Sequence, residues 1–383
     1  MKARLLLLQI AAPVVAILFG MLISSIIILA IGRNPLEVFG IMVRFSLTRT
    51  DSLFSILFKS TPLILAGLAV AMSFRVNLFN IGVEGQYYIG AFFAAYVGFT
   101  LRGLPPLVHL PLALAAAMIG GMLWGLLPIV LKLRRGAHEV ITTIMMNYIA
   151  SALLLYLIAD IFRDPAQAGT PRVRTPDVAG AARIPSLGPF FAQFGLTGSD
   201  VQKVNALIII GIVLAVVLAY ALARTRFGYE VRAVAANPLA AEAAGIPNAR
   251  VQFLVFMLSA GIAGLVGLND ILGFFGYLDI DFPKGLGFLG ISIALLAKNH
   301  PIGVIPAALL LGFLDRGAQG VQFFARVPKE TITIMQAIII LAIVVAYELM
   351  TRYVRVQRKR EAQLGTPPGP QAAMQPGSAE AGS

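Results

Sequence analysis

The chain has 383 residues, of which 58% are hydrophobic and 13% charged, and its mean hydropathy is +0.85. Because soluble domains carry about 25% charged residues, this composition excludes a soluble globular protein. The formal net charge of +12 comes from basic residues that flank apolar runs, so it indicates membrane topology rather than a nucleic-acid surface.

Ten apolar runs are candidates for membrane-spanning helices. Lipid offers the backbone no hydrogen-bond partners, so a spanning segment is either a helix or a strand of a closed barrel. The lack of alternating ten-residue segments excludes the barrel. The sequence therefore predicts an all-α polytopic membrane protein with about ten transmembrane helices. The runs are Leu5–Ile31, Ser55–Phe74, Glu84–Leu101, Leu107–Leu131, Glu139–Ile161, Asn205–Ala223, Val251–Leu272, Gly285–Ala297, Pro301–Leu314 and Thr331–Met350.

The first, eighth and ninth runs have unusual lengths. The first follows Lys2 and Arg4 as a signal peptide would, but it exceeds the roughly 7–15 apolar residues of such a peptide, so we interpret it as a span. The eighth and ninth are short and interrupted by Gly or Pro. They allow a re-entrant hairpin around Lys298, Asn299 and His300.

The basic residues predict which loops lie inside the cell. Ten spans put both termini on one side, and the basic residues within 352–360 mark that side as cytoplasmic. Residues 224–250 then also lie inside, whereas residues 162–204, rich in Pro, Gly and Ala, form an irregular external loop. We expect residues 1–355 to form one transmembrane domain and residues 361–383 to form a disordered tail.

A faint internal repeat runs through the sequence. Glu139–Thr142 opens the fifth run and Glu330–Thr333 opens the tenth, while Ala66–Ala69 and Ala260–Ala263 occupy the second and seventh. In the topology above, a repeat of spans 2–5 and 7–10 is inverted, as in many transporters. Matches this short also arise by chance, and the sequence alone leaves both interpretations open.

The stretch VNLFNIGVEGQYYIG, which begins at Val76, places polar residues between two apolar runs. An ionisable group inside a membrane costs at least about 2.5–3.5 kcal/mol. One interpretation is structural, with Asn80 as a helix cap and Glu84 complementing the helix dipole. The other is a broken helix that lines a solute cavity. Asn147 either forms hydrogen bonds across helices or faces the path. Asn269, near the outer end of the seventh run, either lines an external mouth or marks where the helix leaves the membrane. The candidate translocation residues are Asn80, Glu84, Gln86, Asn147 and Asn269.

Residues 224–250 are long for a connection between spans and predict one or two short helices. Asn237 is a typical N-cap, Pro238 suits the first helical position, and Gly245 is a typical stop. The alanine-rich surface between them fits either a docking site for a cytosolic partner or a segment that lies on the membrane.

No catalytic constellation is present in the sequence. The phosphate-loop, zinc-protease and nucleophile-elbow patterns do not occur. There is no cysteine, and the three histidines, His109, His138 and His300, stand singly, whereas a metal site needs several converging ligands. We therefore expect neither enzymatic activity nor a metal or other cofactor.

Three stretches carry a family resemblance: FNIGVEGQYYIGA, GAHEVITTIMMNYIA and FGYEVRAVAANPLAAEAAGI. Together they resemble the permease subunits of bacterial ABC importers, in the family that includes ribose, branched-chain amino-acid and nucleoside permeases. The resemblance runs from the second span to the tenth. The forms NIGVEGQ and HEVITTIMMNY are most similar to the branch that works with basic-membrane-protein-type lipoproteins and carries nucleosides.

The resemblance implies a set of partners in the bacterial inner membrane. A second permease subunit completes the translocation path, an external solute-binding lipoprotein or periplasmic protein delivers the solute, and a separate cytosolic ATP-binding subunit hydrolyses ATP. That subunit contacts a coupling helix, which the resemblance places at Asn237–Gly245, with Gly228, Ala241 and Gly245 as small residues at the docking surface. The coupling residues implied are Gly228, Tyr229, Arg232, Asn237, Pro238, Ala241, Ala244 and Gly245.

The substrate stays open between nucleosides and simple sugars. A secondary transporter driven by an ion gradient is a further alternative. It would need ion-coupling carboxylates within the spans, and only Glu84 and Asp270 come near that requirement.

Overall fold

A computed structural model describes residues 18–167, 169–328, 330–338, 340–342, 345, 349 and 352. These residues form helices, turns and two isolated β-bridges, without a β-strand, as the all-α prediction requires. The first half of the first predicted span, the end of the tenth, nearly all of the basic 352–360 segment and the predicted tail lie outside the described residues.

Fourteen helices are labelled here in chain order. Their bounds are α1 Leu18–Ala30, α2 Pro35–Leu47, α3 Thr50–Phe74, α4 Val83–Thr100, α5 Pro106–Arg135, α6 Glu139–Tyr156, α7 Gly188–Ala192, α8 Leu207–Arg224, α9 Arg226–Ala236, α10 Pro238–Ala243, α11 Asn248–Gly264, α12 Leu268–Asp270, α13 Leu286–Leu296 and α14 Pro301–Ala325. Short π-helical turns follow two of them, at Leu157–Ile161 and Ile271–Phe275. A further apolar helix runs through Glu330–Ala342.

Six of the described helices are long and apolar enough to cross a membrane: α3, α5, α6 with its π turn, α8, α11 with its extension to Phe275, and α14. They correspond to the second, fourth, fifth, sixth, seventh and ninth predicted runs. The third run is the 18-residue helix α4, whose first turns contain Glu84 and Gln86. The eighth is α13, whose 11 residues reach only about 16 Å. The total of ten spans therefore stays a prediction.

Helix α2 is absent from the predicted spans. It begins at an Asn-Pro pair, where the Asn34 side chain accepts a hydrogen bond from the Leu36 N–H (3.0 Å) and Pro35 takes the first helical position. The same pair predicts a helix start at Asn237. The sequence therefore contains the local signal for the start of α2, but a helix of 13 residues is shorter than the apolar runs that predict spans.

The described residues divide into two compact units: those before residue 33 together with those after residue 332, and those within 33–332. In the smaller unit the Ser24 hydroxyl of α1 donates to the Met335 carbonyl (3.4 Å). The larger unit contains helices α2 to α14 and every candidate site residue.

The larger unit has two ends that differ in their loops. At the short-loop end, defined by residues 75–79, 132–138, 225–247 and 297–300, the Asn77 side chain donates to the Ala235 carbonyl (3.1 Å). At the long-loop end, defined by residues 162–206 and 276–285, the loop after α6 pairs with helix ends, as in the bond from the Ala179 N–H to the Gly98 carbonyl (2.9 Å). The long loop, expected to be irregular, is thus tied to the bundle by backbone hydrogen bonds.

Helix α3 lies at the centre of the larger unit, and the packing around it forms matching pairs. It packs against α11, α13 and α14, while α11 packs against α4 and α5. Glycines permit the closest approaches: a Cβ on Gly290 of α13 would lie 2.8 Å from the Ala66 carbonyl carbon. Exchanging α3 with α11, α4 with α13 and α5 with α14 maps the α3–α11 contact onto itself and each of the other four contacts onto another.

Helices α4 and α13 both begin inside the bundle rather than at its ends. Asn80, just before α4, donates to Ser259 (3.0 Å), whose hydroxyl donates to the Ala69 carbonyl of α3 (2.6 Å), five residues before that helix ends. The start of α13 lies beside the start of α4, because a Cβ on Gly287 would approach the Glu84 nitrogen to 2.6 Å. From this level α4 runs to the long-loop end and α13 to the short-loop end.

Candidate functional site

Glu84 holds the starts of α4 and α13 together. Its side chain is 5% exposed, and its two oxygens accept hydrogen bonds from the backbone N–H groups of Gly285 (2.6 Å) and Gly287 (2.9 Å). The hydroxyls of Tyr87 and Tyr88 lie 2.9 Å from Oε1. The carboxylate therefore sits at two helix N-termini, whose partial positive charges stabilise an anion, and no salt bridge to Glu84 occurs among the described residues.

Asn80 and Gln86 form a closed amide pair beside Glu84. Asn80 Nδ2 donates to Gln86 Oε1 (2.9 Å), and Gln86 Nε2 donates to Asn80 Oδ1 (3.0 Å). Asn80 Oδ1 also accepts from the Gly82 N–H (3.1 Å). The N-cap of α4 is Gly82, so the interpretation of Asn80 as a helix cap is wrong. Asn80 instead closes a local turn two residues earlier and joins it to α11 through Ser259.

Asn147 of α6 completes the backbone of the break before α4. Its Oδ1 accepts from the Gly85 N–H (2.8 Å), and its Nδ2 donates to the Ile81 carbonyl (2.9 Å). The amide thereby satisfies one donor and one acceptor that a continuous helix would have paired internally. A second tie to α6 comes from Trp124, whose indole N–H donates to the Met146 carbonyl (3.1 Å).

Asn269 lies apart from this cluster, on α12. Its Oδ1 accepts from Asn205 Nδ2 (3.0 Å), and Asn205 in turn accepts from the Leu207 N–H at the start of α8 (3.1 Å). Asn269 Nδ2 lies 3.4 Å from the Phe58 carbonyl oxygen. It therefore joins three separate segments of the chain near the long-loop end.

All five candidate translocation residues are buried, and each has defined partners within the chain. Four form one cluster at the starts of α4 and α13, and the fifth does not belong to it. Tyr87 and Tyr88, which bond to Glu84, and Ser259, which bonds to Asn80, were not among the predicted site residues. The two tyrosines follow Glu84 at positions i+3 and i+4 on one helix face, which is a signal for contact. The contacts explain these residues as structural, and contact with a solute stays a prediction.

The segment 225–247 folds as two short capped helices, as predicted. The Asn237 Oδ1 accepts from the N–H groups of Leu239 (3.0 Å) and Ala240 (3.2 Å), and Pro238 takes the first helical position of α10. Gly245 follows with a φ of +80°, in the left-handed region where glycine is favoured. Helix α9 begins at a second cap, in which Thr225 Oγ1 accepts from the Gly228 N–H (3.3 Å).

Gly228 and Ala241 do not lie on an exposed docking surface, contrary to expectation. Gly228 is buried, and a Cβ there would collide with the carbonyl oxygens of Ala221 and Leu222. Ala241 is also buried, and its carbonyl accepts the Ile246 N–H (2.9 Å) in the turn that ends α10. Both small residues allow this segment to fold closely on the bundle and on itself.

The exposed surface of α9 and α10 is formed by other residues. Leu239 is 78% exposed and Tyr229 is 59% exposed, and the alanines at 240, 243 and 244 are exposed beside them. Arg232 is exposed as well, and its guanidinium donates to the Leu222 carbonyl. Leu239 and Tyr229 are therefore large side chains exposed on a segment that lies outside the predicted spans.

The short-loop end connects this surface to the break between α3 and α4. Asn77 bonds to α9 through the Ala235 carbonyl, and Arg75 Nε donates to the Asn299 carbonyl (2.9 Å) in the turn after α13. Burial and the nearby charge of Arg232 lower the pKa of Arg75. Residues 75–84 therefore contact α9 through Asn77, the end of α13 through Arg75 and the start of α13 through Glu84.

Comparison with known proteins adds a family match. Residues 52–345 match the family described as "Branched-chain amino acid transport system / permease component". This range contains the Glu84 cluster and the segment 225–247.

Three relatives align with most of this chain. A guanosine ABC transporter permease protein of Bacillus subtilis is 35% identical over 91% of this chain and 96% of the relative. A nucleoside ABC transporter permease protein of Lactococcus lactis is 32% identical, over 88% of this chain and 92% of the relative. A glucose ABC transporter permease protein of Haloferax volcanii is also 32% identical, over 89% and 88%.

Proposed function

The chain belongs to the family of branched-chain amino acid transport system permease components, and we propose that it forms the solute path of a nucleoside importer. It is a permease subunit of an ABC transporter, a transport component rather than an enzyme. ATP hydrolysis is then the task of a separate cytosolic subunit.

The similarity of this chain to nucleoside permeases supports nucleosides as its substrate. Two permeases named for guanosine and nucleosides align at 35% and 32% identity, and the sequence forms around Glu84 and Asn147 resemble the same branch. A simple sugar is the second candidate, because a glucose permease aligns at 32% identity. An ion-coupled carrier is disfavoured at Glu84, because that carboxylate is already bonded to backbone N–H groups and hydroxyls. It would have to rely on Asp270.

An inverted repeat of spans 2–5 and 7–10 is part of the proposal. The exchange of α3 with α11, α4 with α13 and α5 with α14 preserves the packing pattern of the larger unit. The starts of α4 and α13 meet at Glu84 and their helices run to opposite ends, as expected of broken helices in repeats of opposite orientation. In this topology both termini and the short-loop end lie in the cytoplasm.

We assign the surface of α9 and α10 to the ATP-binding subunit. The observation that carries this assignment is the pair of capped helices whose exposed apolar residues, Leu239 and Tyr229, lie at the short-loop end. Asn77 links this surface to the start of α4, so a displacement of α9 reaches the centre of the bundle. ATP drives transport only if the subunit binds this surface differently in the two states of the path.

A binding experiment tests the assignment. The full chain carrying Leu239→Asp, co-expressed with the ATP-binding subunit and the second permease subunit, should lose association with the ATP-binding subunit. The matched control is Leu107→Asp, since Leu107 is 90% exposed at the start of α5 and far from α10 in the chain. Equal retention of the ATP-binding subunit by both variants would remove the docking assignment.

A further inference from the structure

A cavity of about 250 Å³ opens between the second half of α6 and the segment 280–284. The residues that carry the argument are Tyr88, Tyr148, Ser151, Phe282 and Lys284, which all line it. It is smaller than the roughly 300–1,000 Å³ of sites that enclose drug-sized ligands. A cavity of this size suits one ring system of a solute that passes through.

One wall of the cavity is rigid. Tyr88 is 5% exposed, and its hydroxyl is fixed on the Glu84 carboxylate. Its ring meets the buried Phe282 ring edge to face, at a centroid distance of 6.1 Å and an interplanar angle of 63°. The cluster that joins α4 to α13 therefore also sets the position of this aromatic wall.

Three other lining residues carry polar groups that lack a partner among the described residues. Tyr148 is 71% exposed, and neither its hydroxyl nor the Ser151 hydroxyl nor the Lys284 ammonium makes a hydrogen bond or ion pair there. Other span hydroxyls bond back to the preceding turn, as Thr61 does to Leu57 (2.9 Å) and Thr143 to Glu139 (2.7 Å). Because lipid penalises an unpaired polar group, this face of α6 is suited to an aqueous path.

The exposed face of α8 shows the contrast. Ile209, Val213, Val216 and Val217 are each at least half exposed. They form an apolar stripe of the kind that faces lipid, and it ends at the exposed Tyr220 near the end of the helix. The exposed stripe of α6 contains apolar Met145 but turns polar beside the cavity. The exposed face of α6 therefore carries hydroxyls beside a cavity, at Tyr148 and Ser151 in the middle of the helix, whereas that of α8 is apolar from Ile209 to Val217.

Given the proposed function, on which this inference rests, we propose that the cavity holds the base of a nucleoside in transit. The Tyr148 ring stacks on the base, and the Lys284 ammonium and Ser151 hydroxyl bond to its edge. Stacking accepts any base, because every base has a π face, and a weak contact of this kind lets the solute leave. Tyr148 is thus a solute-binding residue, and Tyr88 positions the facing wall.

Lys284 predicts which nucleosides the cavity prefers. An ammonium group only donates hydrogen bonds. The edge of guanine offers two acceptors, N7 and O6, whereas adenine offers N7 beside an amino donor. Lys284 therefore favours guanosine or inosine over adenosine.

The test uses the complete complex in proteoliposomes, with uptake of labelled guanosine measured against its concentration. Because one base stack contributes about 1–3 kcal/mol, Tyr148→Ala should lower kcat/KM about 5- to 150-fold. Tyr148→Phe keeps the ring and should stay within about threefold of the wild type. The matched control is Tyr156→Ala, which removes a tyrosine of the same helix that is 54% exposed and does not line the cavity.

The second variant is Lys284→Met, read as the ratio of guanosine to adenosine kcat/KM. It should lower this ratio about 3- to 10-fold, measured on complexes that retain both partner subunits on purification. Tyr148→Ala and Tyr156→Ala with equal kinetics would overturn the proposal. So would a Tyr148→Ala complex that loses its second permease subunit, since that result makes this face a subunit contact.

The outcomes separate this inference from the proposed function. A wild-type complex that imports no nucleoside contradicts the proposed function itself. A wild-type complex that imports guanosine while Tyr148→Ala has no effect contradicts only the assignment of the cavity.

Discussion

Replacing Glu84 with glutamine tests whether this carboxylate is a structural joint or a part of the path. Glutamine keeps one acceptor oxygen and places an NH₂ group where the second oxygen stood. If the remaining oxygen stays with Gly285 and the two tyrosines, the new donor faces the Gly287 N–H. Two donors then oppose each other inside the bundle.

The expected cost follows from the bonds that change. A hydrogen bond to a charged group contributes about 1.5–3 kcal/mol and a neutral one about 1 kcal/mol. Glu84→Gln loses one charged bond, about 1.5–3 kcal/mol, and converts three others to neutral ones at about 0.5 kcal/mol or more each. We therefore expect a loss of at least about 3 kcal/mol in the free energy of unfolding. Ser259→Ala, which removes neutral bonds across helices in the same region, should cost no more than about 2 kcal/mol.

The assay measures stability and transport separately on the same preparations. Unfolding of the purified complex in mixed micelles gives the free energy of unfolding, and uptake is expressed per folded complex. We expect Glu84→Gln to be less stable than Ser259→Ala and to retain uptake per folded complex. A Glu84→Gln protein as stable as the wild type that has lost uptake would refute the structural account and make the carboxylate part of the path.

Three further predictions concern packing, coupling and charge. Gly264→Val should prevent folding, because a Cβ on Gly264 collides with the Ala117 carbonyl where α11 crosses α5; the yield of monodisperse protein measures this. Asn77→Ala should leave binding of the ATP-binding subunit intact but reduce uptake per ATP hydrolysed, since it removes the bond to α9. Glu139→Gln should lower the free energy of unfolding by about 1.5–3 kcal/mol, because it removes the charge that pairs with Lys132 (2.8 Å). Exchanging Glu139 and Lys132 with each other should retain part of that stability, as measured by unfolding of the purified complex.

The sequence was most informative where structure depends on neighbouring residues. Asn237, Pro238 and Gly245 predicted the start and end of α10 because capping and left-handed backbone are decided within one turn. The Asn34–Pro35 pair carried the same signal for α2. The buried positions of Gly228 and Ala241 were not predictable, since they depend on how α9 meets α8 and how the turn after α10 closes.

The meeting of α4 and α13 could not be derived from the sequence. The partners Glu84 and Gly285 are 201 residues apart, and an apolar run of 13 residues does not reveal the depth at which its helix begins. The sequence did identify the stretch around Glu84 as polar where lipid penalises polarity. Its two interpretations were separable only when the backbone N–H groups of a distant helix were seen to occupy the carboxylate.

We propose that this permease subunit works in an ATP-driven nucleoside importer. Uptake of labelled guanosine tests this most directly, in proteoliposomes that contain the chain, the second permease subunit and the ATP-binding subunit, with the solute-binding protein supplied outside. We predict uptake that requires ATP on the cytoplasmic side and continues when ion gradients are abolished. Guanosine uptake by the chain alone, driven by an ion gradient without ATP, would contradict the account.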